Sequence, residues 1–467
     1  MKVLIISTTE RTGGGAIAAR RLLTALNKNG IKAKMLVRDK QTDDVNVAAY
    51  GNTIPKALER LRLMCLLRKP FRQTWQYDLA SDGIDILSTP EYKEADVIHL
   101  HWVNQGMLSL KQLRQMMLSG KRIVWTMHDE WPFRGIRHYT EEGNATEDKK
   151  ISALEERLFK TKQEIYGLGN IRFVGCSQWI TGLAQEAMQQ ANVRHINNCI
   201  PHHIFHPQSQ QEAREVFSLP RTQKLILFTC QKVTDKRKGM TYLLEALKHL
   251  NEPKPHLVVV GGKTEEILNS DLGMDTDKIH FIPYVNGEKE MARLYSAVDC
   301  FVTPSLQDNL PNTIAEAMSC GTPCVGFDTG GIPEMISHMK NGYIARYCDS
   351  EDLARGIECT LLHPEWRETA RHSAAHDYSE DRVAKEYAKA SETHKTAHLH
   401  LAHIPAHCST EPDAGTGVPA NGHPVCRQMG ALGNVRFPHS GDGHRMCAQR
   451  RIPQKKSLHF RPARAST

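Results

Sequence analysis

The 467-residue chain has little that would mark a membrane-spanning, disulfide-bonded or zinc-binding protein. No apolar run approaches the roughly 18 residues that cross a bilayer. The twelve cysteines include no Cys-x-x-Cys pair and follow no regular spacing, which is typical of reduced thiols in a cytosol. The apolar stretch within residues 1–7 is too short for a secretory signal and predicts a first strand. These features together predict a cytoplasmic protein.

Most of the chain also carries little net charge. The formal net charge is +8, but residues 396–467 hold nine Lys or Arg against three Asp or Glu, so most of the excess lies there. The near-neutral remainder disfavours a nucleic-acid-binding body. The segment 396–467 has no strand or helix period and predicts a disordered or atypical tail. Its four histidines between positions 398 and 407 leave metal binding open as an alternative.

Strand and helix patterns alternate along residues 1–395 in two series. The predicted strands are residues 3–7, 33–37, 97–100, 123–127 and 171–176 in the first series, and 225–229, 256–260, 279–282, 300–303 and 323–327 in the second. Helical periods cover residues 16–26, 108–118, 241–250 and 291–297. This alternation predicts parallel sheets, and a connector near residues 198–207 separates the series. The predicted fold is α/β, with two Rossmann-like, doubly wound domains facing a central cleft.

Two candidate sites follow strands of the first series. Gly13, Gly14 and Gly15 stand between the first strand and a helix, where free N–H groups favour an anion, although a plain turn explains them equally well. Histidines also stand at or just beyond the ends of two other strands, at His101 and His128. A histidine there can donate to a phosphate or hydroxyl, or exchange a proton near neutral pH.

Two further candidates follow strands of the second series. The basic loop from Lys232 to Lys238 suits a diphosphate, with a solvated charged loop as the alternative. Pro311 suits the first turn of a helix, so the next residues predict a helix whose N–H groups face the cleft. Asp308 precedes that helix start and Glu316 lies about a turn and a half inside it. Carboxylates in these places can hold hydroxyl groups.

The segment from Asp308 to Glu316 resembles the Glu-x7-Glu signature of GT-B glycosyltransferases of family 4. Similar segments follow at residues 321–325, 330–334 and 341–343. The amino-acid sequences of residues 125–133 and 309–314 are similar to segments of bacterial capsule, exopolysaccharide and O-antigen glycosyltransferases. The resemblance covers about residues 1–395. It implies an N-terminal acceptor-binding domain over 1–198, a nucleotide-sugar-binding domain over 199–375, and a helix over 376–395 that crosses back to the first domain.

The resemblance also implies a role for each matching residue. Catalytic roles fall to His128 near the transferred sugar, Asp308 in place of the first Glu, and Lys238 at the diphosphate. The donor-binding set comprises Gly13, Gly14, Gly15, Lys232, Lys238, Tyr284, Asn309, Leu310, Asn312, Thr313 and Glu316. Within this set Glu316 would bind the ribose and Tyr284 the base, and Lys232 is the nearest candidate for the family's diphosphate-binding arginine.

The implied reaction is metal-independent sugar transfer with retention, from a UDP- or GDP-sugar to a saccharide. The acceptor is expected to be a saccharide or a lipid-linked saccharide. No further cofactor and no nucleic acid are expected. Contact with the inner face of a membrane is left open, and the basic, apolar segment 56–72 is its candidate. Two alternatives remain: a nucleotide-sugar-binding protein with an impaired site, and a GT-B-like sugar-nucleotide epimerase. A nicotinamide oxidoreductase is disfavoured because neither series opens with Gly-x-Gly-x-x-Gly followed by a distant acid.

Overall fold

The computed structural model describes residues 1–140, 149–262, 275–282, 284–285 and 287–392. Its first sheet has seven parallel strands in the order β3-β2-β1-β4-β5-β6-β7. These strands are β1 (Lys2–Ile6), β2 (Lys32–Val37), β3 (Val47–Ala49), β4 (Val97–Leu100), β5 (Arg122–Met127), β6 (Ile171–Gly175) and β7 (Val193–His195). Their helices are α1 (Gly14–Lys28), α2 (Ile54–Leu67), α3 (Pro90–Glu94), α4 (Leu110–Leu118), α5 (Lys149–Tyr166) and α6 (Gln178–Ala187). We call these elements the N-lobe.

The second sheet has six parallel strands in the order β10-β9-β8-β11-β12-β13. They are β8 (Leu225–Lys232), β9 (His256–Gly262), β10 (Ile279–Ile282), β11 (Cys300–Thr303), β12 (Cys324–Phe327) and β13 (Gly342–Ala345). The surrounding helices are α7 (Gln210–Val216), α8 (Met240–His249), α9 (Glu288–Ala297), α10 (Asn312–Ser319), α11 (Ile332–Met335), α12 (Ser350–Leu362) and α13 (Trp366–Asp377). We call these elements the C-lobe. In both sheets the strand order reverses beside the first strand, which is where doubly wound folds bind ligands.

A last helix, α14 (Glu380–Ser391), returns from the C-lobe to the N-lobe. Its Tyr387 is buried and its hydroxyl lies 2.9 Å from Thr126 Oγ1 in β5. Ser391 Oγ lies 2.8 Å from Nε2 of His99 in β4. The apolar side of α14 therefore completes the core beneath the first sheet.

The structure contains all ten predicted strands and adds β3, β7 and β13. These three strands are three or four residues long and lie at sheet edges. A strand at the edge of a sheet has a neighbouring strand on one side only and is more exposed than a central strand. These three strands therefore lack the continuous apolar run that marks β4 and β9. The predicted tail, its histidines and residues 393–395 lie outside the described residues, and the predicted domain limits stay a prediction. Within the described part of the chain, no helix combines the length and apolar character needed to cross a membrane.

Candidate functional site

The loops after β1 and β11 meet across the gap between the lobes. Asn312, the first residue of α10, donates from Nδ2 to the Gly14 carbonyl at 3.1 Å. Its Oδ1 accepts from Nδ2 of Asn198 at 3.0 Å. The start of α10 and the glycine loop are therefore in direct contact. The sequence predicted a cleft here, and the carboxyl ends of both sheets do line it.

An ion pair lies on the C-lobe side of this gap. Lys238 Nζ lies 2.6 Å from Asp308 Oδ2, and the carboxylate charge is the main reason that the pKa of Lys238 is raised. Lys238 ends a short 3-10 turn that follows β8. The next residue, Gly239, has φ of 71°, and a Cβ there would lie 1.7 Å from the Pro304 carbonyl oxygen. Only glycine lets this basic loop approach the loop that carries Asp308.

Glu316 lies in the second turn of α10 and is almost fully buried. Its Oε1 accepts from Nη2 of Arg21 at 2.7 Å, and its Oε2 accepts from the Tyr295 hydroxyl at 3.1 Å. Arg21 belongs to α1 of the N-lobe and also donates to Glu288 Oε1 at 2.7 Å. Burial lowers the pKa of Arg21, but Glu316 and Glu288 outweigh burial and raise it. Nη1 of Arg21 is buried and makes no hydrogen bond within the described residues.

A cavity of about 700 Å³ lies between the lobes beside the ion pair of Arg21 and Glu316. Thr12 and Arg21 line it from the N-lobe, and Tyr284, Glu288 and Glu316 line it from the C-lobe. Tyr284 is 79% exposed, so its ring is free to receive a flat ligand. The cavity thus joins the residues predicted for the base and the ribose. His128, Lys238 and Asp308 do not line it.

His128 directly follows β5 and packs against the glycine loop. A Cβ at Gly15 would lie 3.0 Å from the His128 ring, so a larger residue there would have to push the ring aside by a few tenths of an ångström. Nε2 of His128 lies 3.0 Å from Nδ1 of His101, and the two rings are stacked. Burial lowers the pKa of His128 to about 4, and burial followed by the His128 charge lowers the pKa of His101 well below its usual value. Both rings are therefore neutral near pH 7.

A second polar group of the N-lobe lies next to His128. Asp129 accepts from Trp102 Nε1 at 2.9 Å and lies 2.7 Å from Nδ1 of His138. Burial raises the pKa of Asp129, but His138 and the hydrogen bonds from Trp102 and the Trp131 backbone outweigh burial and lower it. Burial is the main cause of the strongly raised pKa of Tyr139, and the nearby charges of Asp129 and Asp308 raise it further. The Tyr139 hydroxyl therefore stays protonated between the lobes.

Two predicted donor contacts have buried side chains. Asn309 is 2% exposed, and its Nδ2 donates to the carbonyls of Met127 and His128 at 3.3 and 3.2 Å. Its Oδ1 lies 2.5 Å from Ser177 Oγ, so this side chain holds the lobes together. Leu310 is buried in the C-lobe core. In both residues the side chain is taken up by these contacts, so only the main chain remains to face a nucleotide sugar. Their part in binding it stays a prediction.

The structure separates the remaining basic candidates. Lys232 is exposed at the end of β8, where it pairs with Gly262 in the sheet ladder. Arg237 is nearer to the ion pair of Lys238 and Asp308, since Asp308 and Tyr139 both influence its pKa. Its own hydrogen bond to Asp235 is the largest cause of the raised pKa.

Two further predicted residues lie at the starts of helices. Thr313 is partly buried in the first turn of α10, and Gly13 has φ of 91° before α1. The role of each residue stays a prediction.

Sequence reasoning missed Arg21, Tyr139, Tyr295 and Glu288. Arg21 carries a usable signal, because it interrupts the buried stripe of Ala18, Leu22 and Ala25 in an amphipathic helix. A cation in such a stripe requires a partner. The partner lies 295 positions along the chain, a separation that no local pattern reports.

Within the described ranges, no group of three His, Cys, Asp or Glu side chains is arranged to hold a metal ion. That observation leaves the expected metal independence a prediction. The arrangement as a whole supplies a cation beside a helix start, a buried carboxylate beside a cavity, and neutral histidines opposite. Such a set is suited to binding a phosphorylated, hydroxyl-rich ligand.

Residues 223–363 match the family described as Glycosyl transferases group 1. A curated relative, an uncharacterized glycosyltransferase of Methanocaldococcus jannaschii, is 26% identical over 398 residues, which is 80% of this chain and 93% of the relative. These matches confirm the resemblance to glycosyltransferases and support glycosyltransferase activity in glycan synthesis.

Solved structures agree on the fold. A sucrose-phosphate synthase from Thermosynechococcus elongatus superposes with a TM-score of 0.62 at 19% identity, covering 83% of this chain and 98% of the other. Anabaena HepE, solved in complex with UDP-glucose, has a TM-score of 0.57 at 15% identity, with 84% and 99% covered. The predicted GT-B fold is confirmed.

Proposed function

We propose that this protein is a retaining glycosyltransferase that moves a hexosyl group from a nucleotide-diphosphate sugar to a saccharide. The observation that carries the proposal is the grouping around α10: Lys238 and Asp308 lie before its start, and Glu316 lies in its second turn beside the cavity. The Lys238 cation and the N-terminus of α10 are suited to binding a diphosphate. The Glu316 carboxylate is suited to accepting hydrogen bonds from the hydroxyls of a ribose.

The cation and the helix start suit the leaving group. When the bond from the anomeric carbon to the diphosphate oxygen breaks, negative charge grows on that oxygen. Lys238 and the free N–H groups of α10 would stabilise this charge more in the transition state than in the ground state. Asp308 keeps the Lys238 ammonium charged and in place until a donor arrives. Its carboxylate can then turn to the hydroxyls of the sugar.

The proton balance needs no separate base. The acceptor oxygen forms the new bond to the anomeric carbon on the face that the diphosphate leaves, which gives retention. Its proton passes to the departing diphosphate oxygen. His128 is neutral near pH 7, so its proposed role is to position the sugar by a hydrogen bond. These steps use no metal ion, and metal independence is part of the proposal.

The nucleotide is proposed to be UDP or GDP. HepE, a structural neighbour, was solved with UDP-glucose, which supports UDP without deciding between the two. The proposed acceptor is a saccharide, lipid-linked where the product is a bacterial surface polysaccharide. The reaction would then take place in the cytoplasm, at the inner face of the membrane.

The decisive experiment measures nucleoside diphosphate release by the purified chain. UDP-, GDP- and dTDP-sugars are first ranked by thermal shift, because a bound donor stabilises the folded state. The best donor is then incubated with and without saccharide acceptors, in the presence of a chelator, and the product anomer is assigned by proton NMR. Acceptor-dependent release with retention supports the proposal. An inverted product contradicts retention, and loss of activity with chelator contradicts metal independence.

The same assay separates the two alternatives. An epimerase would convert the donor with no acceptor present. An impaired binding protein would show a thermal shift and no turnover with any acceptor. The Lys238–Asp308 pair favours transfer over binding alone, because a protein that only binds the donor gains nothing from stabilising a departing diphosphate. It does not distinguish transfer from epimerisation, so the incubation without acceptor is the test that separates those two.

A further inference from the structure

Helix α2 is anchored to the N-lobe along one side. Leu63 and Leu67 are buried there, packed in a cluster with Tyr77 and Ile136. Arg60 is also buried and donates from Nη1 to the Thr74 carbonyl at 2.6 Å. Because this side packs into the N-lobe, the orientation of the opposite side is fixed.

The opposite side of α2 is apolar and exposed. Ile54, Leu58 and Leu61 are 62%, 43% and 57% exposed, and their spacing puts them along one line of the helix. Leu66 is 50% exposed beside this line. Aliphatic side chains normally occupy the buried stripe of a surface helix, and a second apolar stripe facing solvent marks an interaction surface.

Two aromatic residues extend this surface beyond the helix. Phe71 and Trp75 are 44% and 40% exposed, and their rings meet edge to face at 5.3 Å. Trp75 also lies under the Arg60 guanidinium, at 5.0 Å from the ring centre, so it is held in place. We call the exposed side chains of Ile54, Leu58, Leu61, Leu66, Phe71 and Trp75 the α2 face.

The α2 face is bordered by positive charge. Arg62, Arg68 and Arg72 are exposed around it. Between positions 52 and 76 the only carboxyl side chain is Glu59, which is fully buried. Arg62 is paired with Asp82. The exposed border is therefore cationic, with no carboxylate from its own segment to balance it.

We propose that the α2 face docks the protein on an anionic lipid bilayer. Aliphatic side chains would enter the acyl boundary, the aromatic rings would lie at the headgroup level, and the arginines would meet lipid phosphates. A second copy of the chain fits less well, because two-fold pairing would bring the same arginines together. The docking stands on this surface alone and does not depend on the proposed transfer reaction.

The position of the face gives the docking a consequence. The start of α2 touches the loop after β4, since a Cβ at Gly106 would lie 2.4 Å from the Lys56 backbone nitrogen. The same loop begins with His101 and Trp102, which contact His128 and Asp129, and the His128 carbonyl accepts from Asn309 of the C-lobe. Docking through α2 would therefore hold the N-lobe edge of the cleft beside the bilayer, where a lipid-linked acceptor lies.

Vesicle co-sedimentation of the full chain tests the proposal. We expect binding to vesicles of phosphatidylcholine mixed with phosphatidylglycerol, weaker binding to phosphatidylcholine alone, and weakening by salt. The variant Leu58→Glu/Leu61→Glu should lower the partition coefficient at least roughly tenfold. Arg68→Glu/Arg72→Glu should lower it by a similar factor on anionic vesicles only. The matched control is Leu362→Glu, a 78% exposed position in the C-lobe, which should bind as the wild type does.

Three outcomes would overturn the proposal. One is binding of the Leu58→Glu/Leu61→Glu variant at the wild-type level, which would place the contact elsewhere. Another is equal binding to neutral and anionic vesicles. The third is a wild-type dimer that this variant abolishes, with no vesicle binding by either protein, which would identify a second copy as the occupant. Circular dichroism confirms that each variant is folded. Transfer to a water-soluble acceptor should be unchanged in all of them, so failure of docking and failure of the proposed function are distinguishable.

Discussion

Arg21 Nη2 of the N-lobe lies 2.7 Å from Glu316 Oε1 of the C-lobe, and both side chains are buried. The same nitrogen also holds Glu288. The carboxylate proposed to bind the ribose is therefore already engaged across the gap. A donor that takes Glu316 must share it with Arg21 or displace it, which couples donor binding to the contact between the lobes.

The ion pair predicts a large stability loss on Arg21→Ala. Removing one partner of a buried pair leaves Glu316 uncompensated, which costs about 3 kcal/mol. Urea unfolding of both proteins measures the difference. Arg293→Ala is the matched control, because its pair with Glu290 is well exposed and its removal should change the free energy of unfolding by less than about 0.5 kcal/mol. Similar losses for the two variants would contradict the special status of Arg21.

Loss of either predicted donor contact should impair transfer. We expect Glu316→Ala and Lys238→Ala each to lower kcat/KM at least roughly tenfold, equivalent to about 1.4 kcal/mol of transition-state stabilisation. The measurement is acceptor-dependent release of nucleoside diphosphate with the true donor. Lys236→Ala, in the same loop, is the control. Turnover at the wild-type level in both test variants would refute the site assignment.

The carboxylate of Asp308 is predicted to matter more than its length. Asp308→Glu keeps the charge that pairs with Lys238, whereas Asp308→Ala removes it and leaves a cation without its partner. We expect the Glu variant to retain more activity than the Ala variant in the same release assay. Equal loss in the two would count against a carboxylate role at this position.

The buried histidines predict lower stability in weak acid. Burial lowers the pKa of His99 from 6.5 to about 3, so below about pH 6.5 the unfolded chain binds a proton that the folded chain does not. The free energy of unfolding should therefore fall as pH drops from about 6.5 toward 3. Urea unfolding at several pH values measures the slope. His99→Asn should have a lower stability at neutral pH and a shallower slope.

The control for this dependence is His376→Asn, an exposed position in the C-lobe. It should keep the wild-type slope. A His99→Asn variant with the wild-type slope would mean that other groups produce the acid dependence.

Local sequence was sufficient for much of this protein. The apolar runs of β4 and β9 and the glycines before α1 are local signals, because strand burial and backbone freedom depend on neighbours in the chain. The motif around α10 likewise identified Glu316, Asp308 and the family resemblance, since helix starts and the residues that cap them are short-range features.

The tertiary structure decided which of these residues meet. It placed Arg21 on Glu316, turned Asn309 toward the N-lobe, and left the apolar side of α2 exposed among the described residues. Each of these facts joins segments far apart in the chain or depends on which side of a helix the core covers. Such contacts arise when two separately formed surfaces pack together, and the period of a single segment carries no record of what lies against it.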